Sequence, residues 1–155
     1  MRLASALAIV LLASPALAED AKGPHQEGDY GGVQPGHKPE KPKKLPAKGT
    51  LSWVGFEPKN GTSEVFFQSV APFDVSQHLE KGVLVVDLAL TRLGQNTWRP
   101  IDTRFFETPI ARITAKRGRK GVEVRIAFKD AKDAKQGTLR TATEADGLYY
   151  AYLDF

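Results

Sequence analysis

Residues 110–128 read IARITAKRGRKGVEVRIAF, and apolar and polar side chains alternate along both halves of this stretch. A repeat of two residues is typical of a β-strand with one buried and one exposed face. With residues 118–121 as the loop, Ile113 faces Ile126 and the two halves form an antiparallel hairpin. This register places on one apolar face Ala111, Ile113, Ala115, Val124, Ile126 and Phe128.

The second face of the same hairpin is polar. It carries Arg112, Thr114, Lys116, Glu123 and Arg125. Lys116 faces Glu123 in this register, which is a favourable cross-strand pair of opposite charges. A shift by one residue would turn Arg112 or Arg125 toward the core, so the pattern of the two strands fixes one register.

Short β-favouring segments separated by turn signals continue through residues 50–155. The Asn60-Gly61 pair indicates a tight hairpin turn. The nearly continuous apolar run at residues 83–90 predicts a central strand that is covered on both faces. We predict further strands at residues 51–56, 64–70, 138–142 and 148–155, a short strand or extended connection at 73–76, irregular structure at 94–109 and a polar connection at 129–137.

The composition indicates one domain that carries a tail. The chain has 155 residues, of which 41% are hydrophobic and 26% charged, so a wholly disordered protein is excluded. The absence of cysteine excludes a disulfide framework, a thiolate metal site and a cysteine nucleophile. About seven or eight short strands predict an all-β fold for residues 50–155, an antiparallel β-sandwich of two small sheets.

Residues 1–18 have the composition of a secretory signal peptide. Arg2 precedes an apolar run from Leu3 to Leu12, and Ala16 and Ala18 are small residues at the positions that signal peptidase reads. We predict cleavage after Ala18 and a soluble mature protein in the periplasm. Because the run is interrupted before it reaches the roughly 20 apolar residues of a spanning helix, we expect no membrane span.

Residues 19–49 are rich in proline, glycine and lysine and contain few large apolar side chains. Such a segment cannot bury enough surface to offset the entropy of ordering it, so we predict a disordered arm. Its lysines leave two interpretations open, a solvated spacer or electrostatic adhesion to an anionic wall. The net charge of +4 is smaller than a nucleic-acid partner usually requires, and it suits an acidic polymer of the envelope.

Patterns typical of catalysis or metal binding are weak in residues 50–155. His78 is the one histidine in this segment, and we expect it in a surface turn. Asp87 interrupts an apolar run and is expected to face outward beside an arginine. Catalysis requires a positioned base, nucleophile or metal, so we predict no enzyme activity, no cofactor and no metal site.

A group of cations marks the hairpin at residues 110–128, where only Glu123 opposes them. The group contains Arg112, Lys116, Arg117, Arg119, Lys120 and Arg125. Arginine binds carboxylates through two parallel hydrogen bonds, so these residues are candidate ligands for the carboxylates of an acidic envelope polymer. The alternative is a solvated strand face that resists aggregation. Trp98, in a loop at residues 96–100, is the candidate aromatic for stacking on a sugar ring.

The order of these segments resembles the AMIN domain family, periplasmic β-sandwich modules of cell-wall amidases and type IV pilus secretins. The resemblance is carried by LSWVGF at 51–56, EVFFQ at 64–68, VVDL at 85–88, TRL at 91–93, FFETPI at 105–110, RI at 112–113, VEVRI at 122–126 and the last strand at 148–155. It implies a non-catalytic module that binds peptidoglycan and localises a partner. A second hypothesis is a protein-interaction module that binds a secretin, pilus, amidase or division protein through a sheet edge.

Overall fold

β-Strands make up most of the regular structure in residues 44–155, the part of the chain that the computed structural model describes. The strands are β1 (Thr50–Leu51), β2 (Trp53–Lys59), β3 (Thr62–Ser69), β4 (Val75–Glu80), β5 (Val83–Leu88), β6 (Arg92–Leu93), β7 (Ile101–Asp102), β8 (Ile110–Arg117), β9 (Val122–Phe128), β10 (Thr138–Thr143) and β11 (Tyr149–Asp154). The helical structure of these residues is one 3-10 turn at Ala131–Asp133, so none of their helices is long and apolar enough to cross a membrane. The predicted signal peptide and residues 19–43 of the predicted arm lie outside the described residues.

Two antiparallel sheets contain all of these strands except β1 and β6. One sheet has the strand order β10-β11-β3-β2, and the other has the order β4-β5-β9-β8-β7. The remaining two strands form a short parallel ladder. The predicted all-β fold with antiparallel sheets is therefore confirmed. Eight strands have six residues or more. β1, β6 and β7 have two residues each, which is too short for an alternation of apolar and polar residues to indicate a strand.

The inward faces of the two sheets meet in one hydrophobic core. The four-stranded sheet contributes Val65, Phe67 and Leu153, and the five-stranded sheet contributes Leu84 and Ile126, all of them fully buried. Burial of one such large side chain stabilises the fold by about 1.5–3 kcal/mol. The alternation along each strand therefore decides which of its faces lies inside the sandwich.

The β8–β9 hairpin has the predicted register along most of its length. Ile113 pairs with Ile126, and Arg117 pairs with Val122 next to the loop. The prediction is wrong at Ala111, because a β-bulge lies between Ile110 and Arg112. A bulge places two residues opposite one, so Ile110 takes the buried position opposite Phe128 and Ala111 is only half-buried.

β5 has one face in the core and one face toward solvent, so the prediction of a strand covered on both faces is wrong. Leu84, Val86 and Leu88 point into the core. On the outer face Val85 is buried beside its cross-strand neighbours on β4 and β9, while Val83 and Asp87 are half-buried. The outer face is thus covered by neighbouring side chains and not by another layer.

The loop of the β8–β9 hairpin lies against the chain that leaves β5. Gly121 has a φ of 153°, and a Cβ at this position would clash with the carbonyl oxygen of Leu88 and lie 3.0 Å from that of Leu90. The Gly118 N–H donates to the Gly121 carbonyl across the loop, at 2.8 Å. Glycine at position 121 therefore allows the hairpin tip to approach the end of β5 closely.

Replacing Gly121 by alanine is expected to lower the free energy of unfolding by about 2–4 kcal/mol, because the new Cβ meets main chain that cannot move aside. Gly118→Ala is the matched control in the same loop. Its Cβ would lie 3.2 Å from the Cβ of Glu123, and we expect a loss below about 1 kcal/mol. Urea denaturation measures both variants, and equal losses would contradict the role of Gly121.

Candidate functional site

The six cations predicted as ligands fall into two groups in the structure. Arg112, Lys116 and Arg125 lie on the outer face of the five-stranded sheet, because their positions alternate with those of the buried core residues. Arg117, Arg119 and Lys120 lie at the hairpin tip, where β8 ends and the loop begins. We call the first group the outer-face cations and the second group the tip cations.

Two of the outer-face cations are neutralised by carboxylates. Lys116 Nζ lies 3.1 Å from Glu123 Oε1, which confirms the predicted cross-strand pair. Arg125 donates from Nη1 to Glu123 Oε1 and from Nη2 to Glu80 Oε2, each at 3.0 Å. An incoming carboxylate would have to displace these internal partners, which weakens Lys116 and Arg125 as ligands.

Arg112 lies on the same face and is exposed. Its cross-strand neighbour is Asp102, but the carboxylate of Asp102 binds Arg104, whose Nη2 lies 2.6 Å from Oδ2. Hydrogen bonds from Arg104 lower the pKa of Asp102 to about 2. Asp102 is therefore ionised throughout the neutral range and screens the charge of Arg112.

Burial disfavours the ionised form of Glu123, but hydrogen bonds from Lys116 and Arg125 outweigh it. Together with the positive charges of the same two residues, they hold the pKa of Glu123 below its usual value. The ion pairs on the outer face thus stabilise the folded state as long as this carboxylate is ionised.

The tip cations have no carboxylate within 4.0 Å among residues 44–155. They surround a shallow depression of about 420 Å³ together with Thr91, Gly118 and Gly121. The contact of the loop with the end of β5 brings Thr91 to this depression. Three cations that have no ion pair within residues 44–155 surround one shallow depression, so they can bind an anionic group without breaking an ion pair of that part of the chain.

Trp98 lies apart from the residues that line this depression. It is 60% exposed in the loop between β6 and β7. The Arg99 guanidinium lies 5.6 Å from the centre of its ring, a cation–π contact. Beside it Thr97 is buried and donates from Oγ1 to the Gly94 carbonyl at 2.8 Å, which holds the loop in place. Trp98 is thus available for stacking, at a separate place from the tip.

A second concave surface was missed by the sequence prediction. A cleft of about 520 Å³ lies at the side of the sandwich, where β2 and β7 are the outermost strands of their sheets. The residues that define this β2–β7 cleft are Trp53, Phe56, Phe66, Arg99, Ile101 and Phe106. Residues 94–109 were predicted only as irregular, and their aromatic and charged side chains gave no sign that they meet β2.

Two predictions about titratable residues are wrong in detail. His78 lies in β4 and not in a turn, because β4 extends to Glu80 along β5. Asp87 is paired with Ser76 in the register of β4 and β5, and its carboxylate contacts the diagonal neighbour His78, with 3.4 Å between Oδ2 and Nδ1, and not an arginine. No group of three or more metal-ligating side chains occurs within residues 44–155.

Comparison with known families accounts for this arrangement of strands. The family model of the AMIN domain matches residues 54–150, which run from β2 into β11. The chain belongs to the AMIN domain family. AMIN domains are non-catalytic, periplasmic modules of amidases and secretins, so membership supports an exported location and a role at the cell envelope. No curated relative matches the chain.

The ion pairs of Glu123 are expected to make the stability of this AMIN domain depend on pH. Because the pKa of Glu123 is below 4.5 in the folded state, its stabilisation is present above about pH 4.5 and is lost as the pH falls through the folded pKa. We therefore expect Glu123→Gln to lower the free energy of unfolding more at about pH 7 than at about pH 3.

Urea denaturation at both pH values measures this difference. Glu107→Gln is the control, because the Glu107 side chain is exposed and has no ion pair within residues 44–155. If Glu123→Gln lost the same free energy at both pH values, its ion pairs would not be the source of the pH dependence.

Proposed function

We propose that this AMIN domain binds peptidoglycan in the periplasm without transforming it, and thereby localises a partner protein at the wall. The observation that carries the proposal is the group of tip cations, Arg117, Arg119 and Lys120, which have no carboxylate partner among residues 44–155 and surround one depression. Family membership supports the envelope setting. The predicted signal peptide at residues 1–18 provides the route of export.

The chemistry of the tip suits the stem-peptide carboxylates of peptidoglycan. A guanidinium is planar and can grip a carboxylate with two parallel hydrogen bonds, while the lysine ammonium adds a compact positive charge. Since Gly121 lets the loop lie close to the end of β5 and the Gly118 N–H donates to the Gly121 carbonyl, the cations are presented from a compact loop. A ligand therefore meets a site in which little backbone has to be ordered.

The outer-face cations have a smaller part in this proposal than the tip cations. Lys116 and Arg125 are engaged with Glu123 and Glu80, so their main contribution is to stability and to a strand face that stays soluble. Trp98 remains a candidate for stacking on a sugar ring, since its ring is 60% exposed.

Binding of this kind is expected to be weak at each site and sensitive to salt. The tip is exposed to solvent, and ion pairs at exposed positions contribute little individually and are screened at physiological ionic strength. Micromolar or weaker affinity for one site is the expected range, so retention on the wall depends on many repeated ligands. The lysines of residues 38–48 would add to this attraction.

The triple variant Arg117→Ala/Arg119→Ala/Lys120→Ala is expected to reduce the amount of protein that co-sediments with purified sacculi by about tenfold or more. Its thermal midpoint should change little, because all three side chains are exposed and make no ion pair within the described part of the chain. Binding of the unchanged protein should also fall as the salt concentration rises.

The matched control removes the same charge elsewhere. Arg112→Ala/Lys132→Ala/Lys135→Ala changes three exposed cations that have no ion pair within residues 44–155, and it should keep most of the binding. Sacculi from which the stem peptides have been removed are the control on the ligand side. Unchanged sedimentation of the tip variant, or full binding to the bare glycan, would show that the tip does not bind stem-peptide carboxylates.

A further inference from the structure

The β2–β7 cleft contains a stretch of sheet edge that has no hydrogen-bond partner among residues 44–155. Asn60 and Gly61 are a two-residue loop with positive φ angles of 25° and 82°, and Lys59 and Thr62 close it. In such a hairpin the closing residues form a hydrogen-bonded pair, and every second pair after it does the same. This alternation turns the N–H and C=O groups of Val54 and Phe56 away from β3.

The opposite side of β3 confirms this alternation. Ser63 exchanges main-chain hydrogen bonds with Phe155, at 3.0 and 3.4 Å, so its N–H and C=O groups face away from β2. Its partner on β2 is Pro58, whose main chain therefore faces the open edge. Proline has no N–H to donate, and it is tolerated in a sheet where the missing N–H would face outward. Val54 and Phe56 thus offer both donors and acceptors at the open edge, whereas Pro58 offers only its carbonyl.

Apolar side chains lie on both sides of this edge. On the inner side, the rings of Phe56 and Phe106 have their centres 5.4 Å apart, and Ile101 lies beside them. On the outer side, Phe66 lies over Gly55, where a Cβ would clash with its ring, and Trp53 is 53% exposed. Side chains on either face of an added strand would therefore contact apolar residues of the cleft.

The walls of the cleft are held in place before any ligand arrives. The Phe106 N–H donates to the Thr103 carbonyl at 3.1 Å, and Lys129 Nζ donates to the Phe106 carbonyl at 2.5 Å. In the loop before β7 the Arg99 N–H donates to the Asn96 carbonyl at 3.2 Å. A ligand therefore meets a surface that is largely formed in advance, which favours binding.

One cation stands at the rim of the cleft. Arg99 is exposed and has no carboxylate within 4.0 Å among residues 44–155. A ligand with a carboxylate would complement it. The N–H and C=O groups of Val54 and Phe56 require acceptors and donors that alternate at the spacing of a β-strand, which an extended peptide backbone supplies and an acyl chain does not.

We propose that the β2–β7 cleft is a docking site for an extended peptide segment of another envelope protein. The segment pairs with Val54 and Phe56 as an added strand, places a bulky apolar side chain beside Phe106, and directs an acidic group toward Arg99. This site is separate from the tip cations and uses none of them. Its existence therefore does not depend on binding to peptidoglycan.

The test uses synthetic peptides in which threonine alternates with one apolar residue, either leucine, phenylalanine or tryptophan, and which end in aspartate. Binding is measured by fluorescence anisotropy, and the exchange of the Val54 and Phe56 amide protons is followed by NMR. We expect at least one peptide to bind below about 1 mM and to slow both amides. The same peptide with alternate backbone nitrogens methylated should not bind, because it cannot extend a sheet.

Matched aromatic variants locate the site. Trp53→Ala and Phe106→Ala remove rings that line the cleft, and each is expected to weaken binding by about tenfold or more. Phe105→Ala removes a ring that is 89% exposed but does not line the cleft, and this variant should leave binding unchanged. Arg99→Gln should weaken binding to the peptides that end in aspartate and spare forms that end in asparagine amide, which have no carboxylate at that end.

Several outcomes would overturn the proposal. Absence of binding to all three peptides, equal binding of the methylated peptide, or equal losses in the cleft variants and their control would do so. Protection of the Val54 and Phe56 amides by a chitin oligosaccharide in place of the peptides would assign the cleft to a sugar. A dimer in analytical ultracentrifugation that Phe106→Ala dissociates would assign it to a second copy of the chain.

Discussion

Main-chain pairing between β8 and β9 determines which side chains of this hairpin face the core and which face solvent. Because Ile113 pairs with Ile126, every second residue of both strands is buried and the residues between them form a charged outer surface. The same pairing places the loop at the end of β5, where Gly121 lies against the main chain. A slip of one residue would bury an arginine and displace the tip cations together.

The features that depend on neighbours in sequence could be predicted. The alternation in β8 and β9 gave the register of their hairpin, and Asn60-Gly61 gave the turn between β2 and β3. β4 was largely missed, because an exposed edge strand has little apolar repeat to reveal it. Of its six residues only Val75 and Gln77 are half-buried, and the other four are exposed. The bulge at Ala111 was missed because a single extra residue leaves the apolar content of the strand unchanged.

The candidate site was predicted as one group of cations, and its division into two groups depends on tertiary contacts. Glu80 is 45 residues from Arg125 in sequence, so no local pattern indicated that it would neutralise this arginine. The β2–β7 cleft likewise joins Phe56 to Phe106 across fifty positions of the chain. The residue types indicated the candidate ligands. The sheet order determines which of them have an ion-pair partner within residues 44–155.

The tip and the cleft are made by different elements, so this AMIN domain has two surfaces on which separate ligands can be held. The tip presents charge on a fixed loop, and the cleft presents apolar side chains beside free main-chain groups. A small domain with this division can hold the wall through one surface and a protein through the other. Such a division agrees with a family whose members are modules of larger envelope proteins.

Pro58 bears on how copies of the domain behave at high local concentration. Unprotected edge strands can pair with one another and grow into fibrous assemblies. In β2 the missing N–H of Pro58 interrupts the edge next to Val54 and Phe56, so a ladder that starts there cannot continue toward the Asn60-Gly61 turn. A segment that pairs with this edge is therefore kept short, which disfavours edge-to-edge association of two copies through β2.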